Sequence, residues 1–195
     1  MEENSLENSK LYLINADGTG LTEIGLGFDP SWSPVEGKIA YTSNNQIYTM
    51  NSDGKEITQL TTENSNGNPA WNPDGTKIIY TYYEAEKTSI WIMNSNGTGK
   101  TPLTTSTDGE CSLPSFSYDG SKIIYVKGPR WNTFVEILPT KLNEIWIMNS
   151  DGSNKHMIYA PVDSYQWPFQ RAWNKNNEIL FLKSGILEDK LPKLF

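Results

Sequence analysis

IWIMNSDG, residues 145–152, is the last of four near-identical phrases; LYLINADG (11–18), IYTMNSDG (47–54) and IWIMNSNG (90–97) precede it. Each copy runs from apolar residues into a small cluster of Asn, Asp and Gly. That cluster is either a metal-binding loop used four times or a turn used four times. A calcium loop needs six to eight oxygen ligands, with carboxylates at spaced positions and a further bidentate acid. These clusters supply one Asp at most, Asn96 replaces it in the third copy, and none has the following acid at EF-hand spacing. A hairpin turn needs only a residue tolerant of the left-handed region followed by Gly. The cluster reads as scaffold, and no metal site is expected.

A second motif alternates with the first: PSWSPVEGKIAY (30–41), PAWNPDGTKIIY (69–80), PSFSYDGSKIIY (114–125) and RAWNKNNEILF (171–181). Its leading positions, Pro30, Pro69, Pro114 and Arg171, are spaced by 39, 45 and 57 residues. In Asn72-Pro73-Asp74-Gly75 the Pro and Asp stand where a type I turn favours them, and the Gly supplies positive φ. Ile145–Met148 is apolar on both faces, as expected of a strand covered on both sides by stacked sheets. One unit is therefore four short antiparallel strands, A to D. A repeat of roughly 40 residues and four strands has the period of a β-propeller blade. Helix-period patterning is absent apart from a short piece near 133–142, which excludes a solenoid of helix pairs.

These two motifs, alternating over about residues 11–182, resemble the WD40-like PD40 repeats of TolB-type β-propellers and of the propellers in prolyl-oligopeptidase-type peptidases. The resemblance implies an all-β propeller fold and a periplasmic or extracellular setting. It implies no residue-level role, because propellers host many unrelated activities. TolB itself has an extra N-terminal domain and six blades, for which these residues leave no room.

The expected organisation is a flexible segment at 1–10, a propeller at 11–183, and a tail or the start of a truncated strand at 184–195. Strand counting gives C and D first, three full A–D sets, then A and B. Two arrangements fit: a four-bladed ring closed by pairing the two terminal hairpins, or a piece of a larger propeller, which would also admit oligomers. Closure would remove the exposed strand edges that promote aggregation.

Composition narrows the function classes. The formal net charge of −7 repels phosphate, so nucleic acid and anionic membrane are poor partners. No apolar stretch is long enough for a membrane helix, so no membrane insertion is expected, and MEENSLENSK carries no signal-peptide pattern. Those features admit a cytoplasmic protein or a secreted one already processed or cut short. Seven Trp and ten Tyr argue for a packed core over disorder. The single Cys111 forms no internal disulfide and has no basic neighbour to activate it.

Catalytic signatures are sparse. Nucleophilic catalysis commonly pairs Ser or Cys with His, and the one histidine, His156, falls on the outermost strand of a blade. The G-x-S-x-G elbow of the peptidase partner domain is missing. No catalytic residue is nominated and no cofactor is expected.

Loop length is more telling. The A–B and C–D turns, which leave one face, are short and uniform, whereas the added residues all fall in B–C and D–A connections on the other. The longest, 127–143 and 160–170, are rich in aromatic residues. Insertions gathered on one face of a repeat array commonly build its binding surface. Trp, Tyr and Arg dominate interface hot spots. The candidate binding residues are Arg130, Trp131 and Phe134 in one loop, Tyr165, Trp167 and Phe169 in the other, Tyr82 and Tyr83 beside the preceding blade's B–C turn, and Arg171 at the head of the last inner strand. An alternative reading folds the loop aromatics back as a cap on the ring, and an alternative for Arg171 is an ion pair with Asp163 or Glu178. Trp32, Trp71, Phe116 and Trp173 recur at one blade position and are expected to be inter-blade core.

The function these residues point to is a non-enzymatic propeller that binds a protein, peptide or glycan on its B–C/D–A face. The alternatives are a glycan-active enzyme using paired carboxylates, a regulatory propeller detached from a peptidase, and a purely structural surface array.

Overall fold

The computed structural model describes residues 9–85, 87–128, 143–160, 168–176 and 178–183. Strands β1 (Lys10–Leu13) and β2 (Thr22–Leu26) form a two-stranded sheet. Blade I is β3 (Phe28–Trp32), β4 (Lys38–Ser43), β5 (Gln46–Asn51) and β6 (Thr58–Gln59). Blade II is β7 (Ser65–Trp71), β8 (Lys77–Glu84), β9 (Lys87–Asn94) and β10 (Thr101–Pro102). Blade III is β11 (Cys111–Phe116), β12 (Lys122–Lys127), β13 (Glu144–Asn149) and β14 (His156–Tyr159). A second two-stranded sheet holds β15 (Pro168–Trp173) and β16 (Ile179–Lys183). Every neighbouring pair is antiparallel. The all-β propeller architecture of four-stranded blades is thus observed. The only helical element among the described residues is a 3-10 turn at Ser106–Asp108, and no described helix is long and apolar enough to cross a membrane.

The doubly apolar strands are explained by stacking. In β8, Ile78 and Tyr80 pack toward blade I with Ala40, Ile47, Leu60, Trp71 and Met93. Ile79, one residue out of phase, packs toward blade III with Cys111, Phe116, Ile123, Tyr125 and Met148. Successive side chains of a strand point to opposite faces, so a middle sheet needs apolar residues at every position. Fully burying each such Ile or Met contributes about 1.5–3 kcal/mol. The outermost strands are only two residues long in blades I and II, and a side chain extends their ladder. Ile47 N donates to Thr61 Oγ1 and Ile90 N to Thr104 Oγ1, both at 2.8 Å.

The Asn-x-Asp-Gly clusters fold as turns. Asn94 N donates to Thr98 O and Gly97 N to Asn94 O, at 2.8 and 2.9 Å. Asn96 Oδ1 accepts from Thr98 N and Oγ1, as Asp17 does from Thr19 and Asp151 from Ser153. An amide serves as well as a carboxylate, because the turn requires only an oxygen that accepts these two bonds. The last three turns also reach the preceding sheet. A Cβ on Gly54 would lie 2.6 Å from Ile24 O; on Gly97, 3.2 Å from Leu60 O; on Gly152, 3.2 Å from Leu103 O. All three glycines have φ between 77° and 84°, so the residue is required both by conformation and by close approach.

Two expectations need correction. The four-bladed closure is not formed: β1–β2 and β15–β16 remain separate two-stranded sheets with no hydrogen bonding between them. Counting strands yields complementary halves, but closure depends on the angle between successive sheets, which side-chain volume at each interface sets. Trp32 is the second correction. Trp71 and Phe116 are core residues at 7% and 8% exposure, but Trp32 is 52% exposed. Trp71 and Phe116 each rest on a complete blade before them, whereas Trp32 has only the half-sheet β1–β2. The short helical piece near 133–142 lies outside the described residues.

Candidate functional site

The propeller axis has two ends, and the sequence treats them differently. At one end lie the A–B and C–D turns. Lys77 Nζ, closing the A–B turn of blade II, donates to Asn94 Oδ1 of the C–D turn at 2.6 Å, and Lys122 donates to Asn149 likewise in blade III. Within the A–B turns Asp74 Oδ1 accepts from Thr76 N and Oγ1, while Asn72 Oδ1 accepts from Lys77 N. Hydrogen bonding from the Thr76 side chain and backbone holds the Asp74 carboxyl below its usual range. These turns satisfy their own polar groups.

At the other end the B–C and D–A connections meet one another. Gln46 Nε2, at the start of β5, donates to Asn64 O of the β6–β7 connection at 2.6 Å, and Asn66 N, at the start of β7, donates to Asn45 O of the β4–β5 turn at 2.8 Å. Tyr82 and Tyr83 lie beside them. Asn64 Nδ2 donates to the Tyr82 hydroxyl, and the Tyr82 ring packs on Trp91 at 4.7 Å. The Tyr83 hydroxyl donates to Asn68 Oδ1 at 3.1 Å. Both tyrosines are half-buried and tied to the scaffold at this end.

Arg130, Trp131, Phe134, Tyr165 and Trp167 lie outside the described residues. Phe169 and Arg171 belong to β15, with β16 partners Leu182 and Phe181; their side chains are outside the described set.

A feature missed in the sequence sits beside Tyr83. Every inner strand slips register at the same place: between Phe28 and Ser31, Gly67 and Ala70, Ser112 and Ser115, and Phe169 and Arg171. In three of them a side-chain-bearing residue takes a left-handed conformation: Asp29 (φ 50°), Asn68 (φ 52°) and Leu113 (φ 55°). Such bulges re-aim side chains and are common next to functional sites. Here Asn68 Nδ2 donates to Asp29 Oδ2 at 2.7 Å across the two blades. Desolvation raises the Asp29 carboxyl above its ordinary value, partly opposed by its hydrogen bond with Asn68. The Asp-Pro, Asn-Pro and Leu-Pro pairs that open the second motif were the available signal, since Asn and Asp tolerate this conformation.

The turn end holds a cleft of about 610 Å³. Aromatic residues from all four inner strands, Trp32, Trp71, Phe116 and Trp173, line it with Pro34, Pro73 and Tyr118 from the A–B turns. Asn72, Ser115 and Ser117 supply its polar groups, and its lining carries no charge. Trp32 and Tyr118 are open to solvent at its rim. The repeat Trp position was legible in the sequence as core; its second role as a cleft wall was not.

Cys111 is buried in the interface between blades II and III, and burial pushes its thiol up to about 11. His156 is exposed on the outer strand β14. Among the described residues no group of three or more His, Cys, Asp or Glu is placed to hold a metal ion.

Residues 2–173 match the family described as the TolB beta propeller domain, PD40. No curated protein matches the chain. Among solved structures it is similar to a putative TolB from Agrobacterium tumefaciens, with a TM-score of 0.66 and 24% identity over 78% of this chain and 57% of that one. A chain in a nidogen/laminin complex gives 0.61 and 14%, over 77% and 58%. An oligogalacturonate lyase from Vibrio parahaemolyticus gives 0.61 and 14%, over 89% and 52%. At such identities the likeness establishes the fold alone. The chain spans less than two thirds of the length of each. The repeated motifs, the stacked four-stranded sheets and the family match agree: this chain belongs to the TolB β-propeller (PD40) family.

Proposed function

We propose that the protein is a binding propeller that holds a protein, peptide or glycan on the face formed by its B–C and D–A connections. The observation that carries this reading is the asymmetry of the two ends. The A–B and C–D turns are short and bonded to themselves, whereas the sequence puts its aromatic insertions, 127–143 and 160–170, in B–C and D–A connections, and Tyr82 and Tyr83 flank another B–C connection. Arg130, Trp131, Phe134, Tyr165, Trp167, Phe169 and Arg171 are its proposed contact residues.

A second reading rests on the uncharged aromatic cleft at the turn end, which suits a neutral ligand offering flat apolar faces. One experiment separates the two. Peptide-display and glycan-array selection on the full chain gives a binder, whose affinity is then measured for Trp131→Ala/Trp167→Ala and for Trp32→Ala/Tyr118→Ala. The proposed face predicts a loss of about 30-fold or more for the first pair, as hot-spot residues give, and no change for the second. The reverse pattern assigns the ligand to the cleft and refutes the loop face.

A further inference from the structure

The bulges of blades II and III use equivalent neighbours differently. Thr42 stands opposite Phe28 in blade I, and Thr81 stands opposite Gly67 in blade II, so the two hydroxyls hold the same place in the repeat. Leu113 N, in the bulge of β11, donates to Thr81 Oγ1 of the blade before it at 3.0 Å. Asn68 holds the position of Leu113 in the bulge of β7, yet Thr42 Oγ1 has no hydrogen-bond partner although Thr42 is only 1% exposed. That hydroxyl is nevertheless at hand. A Cβ built on Gly67, the residue before Asn68, would lie 3.8 Å from Thr42 Oγ1 and 3.8 Å from the Tyr83 hydroxyl.

Asp29 makes the difference. It takes the left-handed conformation in the bulge of β3, where the other complete blades have Asn68 and Leu113. Its carboxylate accepts Asn68 Nδ2 at 2.7 Å and draws the Asn68 backbone N–H as well. The donor that Leu113 gives to a hydroxyl is given by Asn68 to a charge, and charged acceptors bind such donors more strongly. A buried hydroxyl is left without a partner in exchange, which is costly.

We propose that Asp29 and Thr42 are alternative acceptors for the bulge of β7, and that protonation of Asp29 hands the Asn68 backbone N–H to Thr42 Oγ1. The second form is the one already present between blades II and III. Trp71 N, three residues further along β7, donates to Ser31 Oγ at 3.4 Å and joins the two blades without a charge, so the exchange stays local to the bulge. Tyr83 moves with it, because its hydroxyl donates to Asn68 Oδ1 at 3.1 Å. Acidity is thereby coupled to a tyrosine at the B–C/D–A end. The groups at the carboxylate are neutral: Asn68 from β7, with the Tyr83 phenol of β8 behind it and Thr42 of β4 beside the bulge. Among the described residues no charged side chain bonds to Asp29. Desolvation raises its carboxyl and the Asn68 backbone N–H opposes that rise, so the exchange falls above the ordinary carboxylate value.

Nuclear magnetic resonance of the full chain, followed from about pH 8 to about pH 4, reads the exchange. The Asn68 backbone amide and the Tyr83 ring should titrate with the Asp29 carboxyl carbon at one midpoint, while the Leu113 amide stays flat. Asp29→Asn removes the charge but keeps a residue that tolerates the left-handed region, so its Asn68 amide should hold the acid-end shift at every pH. Thr42→Val removes the second acceptor; the neutral-pH shift of Asn68 should persist, and the acid-end shift should be lost. If the Asp29 carboxyl titrates and the Asn68 amide does not follow, or if Thr42→Val leaves that titration unaltered, the inference is overturned. No ligand takes part, so this result is separate from that of the binding-face experiment.

Discussion

Three C–D turns differ in how closely their glycine meets the sheet before it, and alanine substitution turns that difference into a graded measurement. Gly18, Gly54 and Gly97 all adopt φ between 77° and 84°. A Cβ at Gly18 meets nothing within 4 Å, at Gly97 it meets Leu60 O at 3.2 Å, and at Gly54 it meets Ile24 O at 2.6 Å. The left-handed conformation costs an L-residue about 1–2 kcal/mol, and this should be the whole effect of Gly18→Ala. At Gly97 the neighbour must yield a few tenths of an ångström, adding up to about 1 kcal/mol. At Gly54 the contact is with backbone, and overpacking of that kind adds about 1–3 kcal/mol. In a chain of this size each 1 kcal/mol moves Tm by about 2–4 °C. Urea and thermal unfolding followed by circular dichroism should rank the variants Gly18→Ala, Gly97→Ala, Gly54→Ala from mildest to worst. Equal losses would show that the turns do not clasp the neighbouring sheet, and the stacking argument would fail with them.

Trp71→Ala should destabilise by about 3–5 kcal/mol, because this ring is nearly buried between blades I and II; a loss under about 1 kcal/mol in urea unfolding would contradict that packing. The Cys111 thiol, buried and pushed up to about 11, should resist Ellman's reagent at pH 8 until denaturant is added. Acid stability follows from the turn carboxylates: Asp17, Asp74 and Asp151 are held below their ordinary values, chiefly by side-chain hydrogen bonds from Thr19, Thr76 and Ser153. A depressed carboxylate stabilises the fold above its unfolded value and loses that contribution as pH falls through the folded one. Tm should therefore hold from pH 8 to about pH 5 and decline below about pH 4, with Asp29, shifted upward, acting in the opposite sense. A Tm that rises steadily on acidification would contradict this assignment.

The blades were legible in the sequence because their determinants are local. Asn-Pro-Asp-Gly at 72–75 and Asn-Ser-Asp-Gly at 51–54 specify turns through the backbone freedom of a few residues, and Ile-Trp-Ile-Met at 145–148 specifies a strand covered on both sides. Ring closure was not legible, since it depends on angles accumulated over three interfaces. The exposure of Trp32 follows from the same cause: its sequence context equals that of Trp71, and only its neighbour differs. Of the candidate binding residues, Tyr82 and Tyr83 are where loop counting put them, at the B–C/D–A end. Asp29 and Asn68 escaped notice because they meet through a bulge, which shifts register without altering the apolar pattern. The cleft escaped because a recurrent Trp reads as core whether or not its edge also lines a void.

The stacking is directional. Trp71, Met93 and Gly97 of blade II all lean back on blade I, and Phe116, Met148 and Gly152 of blade III lean back on blade II. During synthesis, when the amino-terminal part emerges first, each newly exposed blade therefore finds its platform already in place. A ribosome delivering this chain builds it like masonry, one course resting on the last, and a lesion in an early blade should harm every later one more than the reverse.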